Sequence, residues 1–419
     1  MNIVAPDHPT PVKPSAASKP ENTAVTAEIL WDQQAITAVL PEWQALVDAV
    51  QPTNFFLRPA VWESWTRQLS GAKPSGLMLA YKNQCLVGVM PVMIRTAWRG
   101  PTLGVRYDYD PQDRRWLTEP ARRIIPMRQL SPVLSLPATM LGPVLLAADA
   151  HRPAVITAMA AAISMQREWD MAVFPLEQRE LELWKAGFTK AGLRCDEQTL
   201  DRPGFGLRNI TPFDQIIAQL NKKGRQNHRR AVAAAAKSGV TLSICQDAPD
   251  TMAIVRDLAA QSWKAKGRSG QHTNIPFDGM QGAFFDDLML GADKSRLVSA
   301  IASQNGTPIA IIMGGVTGDT LTTLLTYWNG AESAASPGFL TLGAIIDWAA
   351  QNRIDQIDFN SNSPWLKSLG DHSETQQNLL VFACGARGRS LATLRRAGLG
   401  LKSLRDLFRS RQSDKAAEK

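Results

Sequence analysis

Long apolar stretches are missing from this 419-residue chain. A membrane-spanning helix needs about 20 consecutive, mostly apolar residues. The longest candidate runs, Ala158–Met165 and Val144–Ala148, fall far short, which excludes an integral protein built on spanning helices. Cysteine is scarce: Cys85, Cys195, Cys245 and Cys384 stand far apart with no short paired spacing. They read as buried thiols of a reducing compartment rather than a disulfide framework. Histidine is equally thin, and His8, His151, His228, His272 and His372 form no cluster of metal-ligand spacing, so no bound metal is expected. The start, MNIVAPDHPTPVKPSAASKPENTA, lacks the basic opening and continuous apolar core of a secretory signal. A cytoplasmic location is expected.

What is present suits a folded chain: 44% hydrophobic and 20% charged residues, on a length that suggests two domains. The net charge of +8 is uneven, because from Arg387 onward ten Lys or Arg oppose three acids. Leu391, Leu394, Leu399, Leu401, Leu404, Leu407 and Phe408 recur among those cations at near-helical intervals. That pattern fits a basic amphipathic tail packed on the fold, or one that meets a protein partner or the surface of the inner membrane. A second basic run, LNKKGRQNHRRAVAAAAKSGV, contains no acid. As a helix it sets Lys222, Arg225 and Arg229 on one stripe, suited either to solvent or to a phosphate-bearing substrate.

Residues 1–26, rich in Pro, Ala, Ser and Thr, read as a flexible leader. A first folded unit is expected over 27–207. It opens near Ala27 with helix-like spacing, then shows a hairpin around Asn83, a helix in HRPAVITAMAAAISMQR, a strand in WDMAVFPLE, a helix closed by Gly192, and a strand in RCDEQTLDRPGFGL. The second unit, 208–390, repeats that order. A helix capped by Thr211 runs on through the basic segment, a strand and helix follow, and a three-strand meander turns at Asn305-Gly306 and Gly318-Asp319. GFLTLGAIIDWAAQNR is then a helix and IDQIDFN a strand. Residues 391–419 form the tail. The fold class is mixed α/β.

Chemistry concentrates between Thr320 and Leu369. A strand ending in TYWNG feeds a short loop whose Ser336, Pro337 and Gly338 open a helix. Helix-start amides and the dipole behind them make a site for a pyrophosphate or another anion. The strand IDQIDFN follows, and then NSPWLKSL carries Lys367.

GTPIAIIMGG, TLTTLLTYWNG, SPGFLTLGAIIDWAAQNRIDQIDFN and PWLKSLG together resemble the acetyltransferase domain of the GNAT superfamily, in its CelD-like branch, related in fold to the Fem-type aminoacyl transferases. The resemblance covers about Thr211 to Gly370, with a weaker likeness in LRPAVWESW and LVGVMPVMIR. It implies two tandem GNAT-like domains with mixed, mostly antiparallel sheets flanked by helices. It also implies an acyl donor, acetyl-CoA or another acyl-CoA, seated where two strands splay apart. Thr326, Tyr327 and Trp328 would wall one side and Asp358, Phe359 and Asn360 the other, with the pyrophosphate on the amides of Ser336, Pro337, Gly338, Phe339 and Leu340. Backbone N–H groups near Tyr327 would polarise the acyl carbonyl, and Lys367 would offset negative charge. Asp358, His272 and His372 are the candidate bases by type. The chain departs from the family pattern at FNSNSPWLK, which lacks the usual glycine, and in a coenzyme loop reduced to SPG.

The implied function is acyl transfer to an amine or hydroxyl of a small molecule or envelope or polysaccharide precursor. One alternative is a Fem-type aminoacyl transferase, with tRNA as the only nucleic acid partner expected. Another is a catalytically silent scaffold in a polysaccharide assembly. Asp108 and Asp110 in RYDYDPQD could hold a divalent ion in a sugar transferase, but beside a proline they read as a turn.

Overall fold

A computed structural model describes residues 24–68, 75–100, 102–103, 125–132, 144–148, 150–199, 204–262, 279–291, 296–329, 335–361, 364–374 and 377–417. The leader up to residue 23, Asp108, Asp110 and His272 lie outside them.

The first part of the chain runs β1 (Val25–Leu30), α1 (Gln33–Val50), α2 (Pro59–Gln68), β2 (Ser75–Lys82), β3 (Cys85–Arg99), β4 (Ile125–Pro132), β5 (Leu145–Leu146), α3 (Arg152–Met165), β6 (Met171–Leu176), α4 (Gln178–Lys190) and β7 (Arg194–Thr199). It continues with β8 (Gly204–Arg208), α5 (Phe213–Gln219), α6 (Lys222–Lys237), β9 (Val240–Gln246), α7 (Thr251–Gln261), α8 (Gly279–Leu290), β10 (Leu297–Gln304), β11 (Thr307–Thr317) and β12 (Thr320–Trp328). Last come α9 (Pro337–Gln351), β13 (Gln356–Asp358), a 3-10 turn at Pro364–Ser368, β14 (His372–Glu374), β15 (Gln377–Phe382) and α10 (Ala386–Ala417).

Two sheets result. One has the order β1-β2-β3-β4-β6-β15-β7, with β5 on β3; the other, from its opposite edge, reads β9-β10-β11-β12-β13-β8-β14. Both are antiparallel except at one place each, β4 with β6 and β12 with β13. Position for position, the two sheets repeat one unit. The linear division at 207/208 does not survive this topology: β8, from the first stretch of chain, lies in the second sheet, while β15 returns from the far end to sit between β6 and β7. The expected single strand RCDEQTLDRPGFGL is therefore two strands in different sheets.

The turns follow local chemistry. Asn83 and Gln84 take φ of 51° and 66°, and Asn305 and Gly306 take 51° and 80°, the positive-φ pairs that two-residue hairpins require. Other expectations are corrected. Val25–Leu30 is a strand whose exposure alternates, so the first helix starts only after Asp32, whose carboxylate accepts from the Ala35 N–H at 2.8 Å. The long helix expected from Thr211 breaks at Leu220, and Asn221 restarts it by accepting from the Gly224 N–H. Pro212, not helical itself, precedes Phe213, and the Phe213 N–H is taken by Asp347 of α9 at 2.7 Å, so the cap expected of Thr211 comes from another helix. Of the thiols, Cys85 and Cys384 are exposed, and Cys195 and Cys245 are only half-buried.

Helices α3 and α4 cover one face of the first sheet, with Trp184 stacked on Phe174. Helix α9 covers the second. A third core joins the halves: Trp43, Phe55 and Trp62 pack with Val255, Phe285 and Met313. Phe55 fills the space where a Gly315 side chain would begin, since a Cβ there would lie 2.5 Å from its ring. Arg67 reaches Asp287 at 2.7 Å. Burial alone would raise that carboxyl, but hydrogen bonds from Ser64 and Arg67 hold it below the ordinary value.

Candidate active site

The parallel pair in the second sheet is short. Thr320, Leu321 and Thr322 face Gln356, Ile357 and Asp358, and there β13 ends while β12 runs on to Trp328. Just beyond the last pair the Thr323 hydroxyl donates to the Phe359 carbonyl at 2.5 Å, and Asn360, at φ 45°, turns the chain away. Two strands that start together thus part, which opens a gap lined on one side by the end of β12.

Backbone direction in that stretch can be read from the register. The Asn329 N–H donates to the Ile309 carbonyl of β11 at 2.8 Å, and Tyr327 pairs with Ile311 in the same register. Alternation along an antiparallel ladder then turns the Tyr327 N–H toward β11, and those of Thr326 and Trp328 toward the β13 side. The amides directed at the gap belong to Thr326 and Trp328, a refinement of the expected donor near Tyr327. The Tyr327 side chain joins the core between the halves, where burial pushes its phenol up to about 12. It stays protonated at neutral pH.

Helix α9 begins at the mouth of this gap. Ser336, exposed, takes the left-handed conformation at φ 47° without a side-chain cap bond, and no acid occupies the first turn. The Phe339 and Leu340 N–H groups both donate to the Ser336 carbonyl, and Pro337 has none to give. The five-residue anion loop therefore contracts to the amides of Ser336 and Gly338. Gly338 has a different reason for being glycine than close approach of a ligand: a Cβ there would lie 3.2 Å from the Trp328 indole, which packs on the helix start. Phe339 and Leu340 are packing residues, Phe339 against Phe213 at 5.3 Å between ring centres and Leu340 against Ala235 and Ala335.

The remaining site residues divide. Asp358 is 3% exposed, on the face opposite Leu321 and Ile357, and its Oδ1 accepts the Asn360 N–H at 2.7 Å. Through that bond it holds the turn. Lys367 is exposed on the 3-10 turn between the buried Leu366 and Leu369. His372 lies on β14, the outermost strand of the sheet, where its Nε2 accepts from Arg208 Nη2 at 3.0 Å; burial, then Arg208, lowers its pKa, so the ring is neutral and its Nε2 is engaged by Arg208.

The basic stripe splits too. Arg225 turns back to the Leu220 carbonyl and lies 3.5 Å from that of Ala218, closing the end of α5, so it is a structural residue rather than a substrate contact. Lys222 and Arg229 stay exposed on the side of α6 away from Ala231 and Ala235, which pack inward. They do not face the α9 start. His228 does: its ring meets Phe213 and Phe339 at 5.6 and 5.8 Å, and Nε2 lies 3.8 Å from Asp214. Its spacing to Ala231 and Ala235 marks the inward stripe of an amphipathic helix, a signal legible in the sequence.

A β-meander, a helix with an uncapped start and a parallel pair that parts make up this site, and the strand order that frames it recurs in the first sheet. Comparison with known proteins gives the following likenesses. The family model described as acetyltransferase (GNAT) domain matches residues 222–365. The crystal structure of FemX superposes with a TM-score of 0.53 at 9% identity, covering 85% of this chain and 98% of that one. The C-terminal domain of a putative lysylphosphatidylglycerol synthetase from Agrobacterium fabrum gives 0.48 at 12% identity, covering 87% and 96%. A tandem GNAT protein from the clavulanic acid biosynthesis pathway gives 0.44 at 10%, covering 84% and 98%. No curated protein matches the chain by sequence.

Proposed function

We propose that the second sheet uses its gap to bind acyl-CoA, acetyl-CoA first, and transfers the acyl group to an amine or hydroxyl of an envelope or polysaccharide precursor. The observation that carries this reading is the short β12/β13 pair, with β12 continuing alone to a helix whose start has neither cap nor acid. The coenzyme, when bound, supplies the activated acyl carbon. The residues present fit its phosphates: the Ser336 and Gly338 amides and the dipole of α9 favour an anion at that turn. The Thr326 and Trp328 N–H groups point where charge develops on the acyl oxygen, and donors placed in advance stabilise that charge without reorganising. Lys367 adds positive charge from the turn beyond β13. The CelD-like branch, with its envelope substrates, is the source of the acceptor class.

Isothermal titration with acetyl-CoA, longer acyl-CoA and an aminoacyl-tRNA tests this. Acetyl-CoA or a longer homologue should bind, and Ser336→Glu should weaken it at least tenfold by placing a carboxylate at the anion turn. Binding of aminoacyl-tRNA alone would shift the reading to aminoacyl transfer. Failure of every donor to bind would leave the scaffold reading.

A further inference from the structure

Among the described residues the two sheets end in β1, β7, β9 and β14. Open strand edges invite pairing, and proteins blunt them with charge, shortness or cover. β14 has three residues, β7 (RCDEQT) carries Arg194, Asp196 and Glu197, and β1 is packed by α1 and α3. β9, packed by α9 and α6, carries no charge in VTLSICQ, and the cover is partial: Leu242 and Ile244 on one face are 47% and 37% exposed.

Helix α6 packs on β9 with Ala234 and Val240 in one cluster, on the strand face that Leu242 and Ile244 share, and on this helix Val232 is 45% exposed. Beside this aliphatic strip runs the charge. Lys222, Gln226, Arg229, Arg230 and Ala233 line an open concavity of about 440 Å³ on the outer side of α6. Lys222 and Lys223 sit in the first turn of the helix, which holds no acid, against the macrodipole, an arrangement that an external anion relieves.

We propose that the outer face of α6 with the β9 edge docks on an anionic lipid bilayer, the cations meeting headgroups and Val232, Leu242 and Ile244 entering the interface. A second copy pairing through β9 fits less well, because it would bring two acid-free α6 helices near each other and set like charges together. Nucleic acid also fits less well, since the apolar side chains exposed here are aliphatic and offer no stacking surface. This inference is independent of the acyl-transfer reading, which concerns the opposite side of α6.

The test is co-sedimentation of the full chain with vesicles of phosphatidylcholine alone or with about a third phosphatidylglycerol, at low and high salt. Each cation near such a surface contributes roughly fivefold in partitioning. Arg229→Glu/Arg230→Glu should therefore lower binding to the anionic vesicles by more than tenfold, and Leu242→Ser/Ile244→Ser should lower it several-fold. Both pairs are exposed, so circular dichroism and Tm should match wild type. Both leave α10 intact: anionic-vesicle binding that survives both changes would overturn the proposal and point to the tail. Equal binding to neutral vesicles would also overturn it, as would tRNA binding without vesicle binding, or a dimer in light scattering that Leu242→Ser/Ile244→Ser converts to monomer.

Discussion

The two sheets share strand order and pairing sense, and their helix starts alike lack a side-chain cap bond and an acid in the first turn. The side chains there differ: α3 opens with Arg152, whose guanidinium pairs with Glu180, a carboxylate only 7% exposed, while α9 follows the exposed, left-handed Ser336. The parallel pairs differ as well: β4 leaves β6 after Leu130, two residues before its own end, whereas β12 extends from Thr322 to Trp328 without β13. The longer unpaired strand end belongs to the second sheet. Duplication lets one half support the other, and in the joining core Phe55 is seated on Gly315.

The largest effect should come from breaking the equivalence of the sheets. A chain ended after Gly370 lacks β15 and α10, and the first sheet then loses the strand between β6 and β7. Such a chain should show no cooperative unfolding transition in circular dichroism and should bind a hydrophobic dye, although most of the second sheet is present. Next comes the contact between halves. Gly315→Ala, directed into the Phe55 ring at 2.5 Å, should cost about 1–3 kcal/mol in denaturant unfolding, as overpacking does. Gly88→Ala, which meets side-chain ends of Met159, Val155 and Leu146 at 3.0–3.1 Å inside the first half, should cost less.

The Arg152–Glu180 pair at the start of α3 makes the first half sensitive to pH. Burial raises the Glu180 pKa, with Arg152 opposing that rise. Arg152→Ala should raise it further. A carboxyl whose folded pKa exceeds its unfolded value stabilises below the unfolded pKa and loses that contribution as pH climbs, so the variant should lose Tm relative to wild type from about pH 4 upward. His372 has the opposite sign. Its folded pKa is lowered, so its contribution is present above the unfolded value near 6.5 and is lost as pH falls through the folded one. Wild type should therefore lose Tm on acidification below about pH 6.5, and His372→Gln should lessen that slope. The smallest effect is at the start of α9: Ser336→Gly removes the cost of a left-handed serine and should change stability by no more than about 1 kcal/mol. A larger loss would mean that the serine side chain holds the turn.

Local periodicity made much of this legible. The hairpin at Asn83, the meander turning at Asn305-Gly306 and Gly318-Asp319, and helices α3, α4 and α9 lie where alternation, turn residues and apolar spacing put them. The exchange of β8 and β15 was not legible, because a strand's pattern states which face is buried and not which distant neighbour it pairs with. The break at Leu220 was hidden for a related reason: the Asn221 cap and the Arg225 closure are short-range bonds inside a run that otherwise reads as one helix. At the site, Ser336 and Gly338 could be found from the Ser-Pro-Gly start. That Gly338 accommodates an indole, and that Asp358 ties a turn, depends on contacts that only the folded chain creates.

The place of β15 has a consequence for how the protein is made. Because β15 is synthesised long after β6 and β7, between which it lies, the N-terminal half cannot settle into its final form until that distant strand has emerged. Its hydrogen-bonding groups wait for a segment encoded far downstream, so both halves mature together, and a product stalled before β15 carries an open seam for quality-control proteases to recognise.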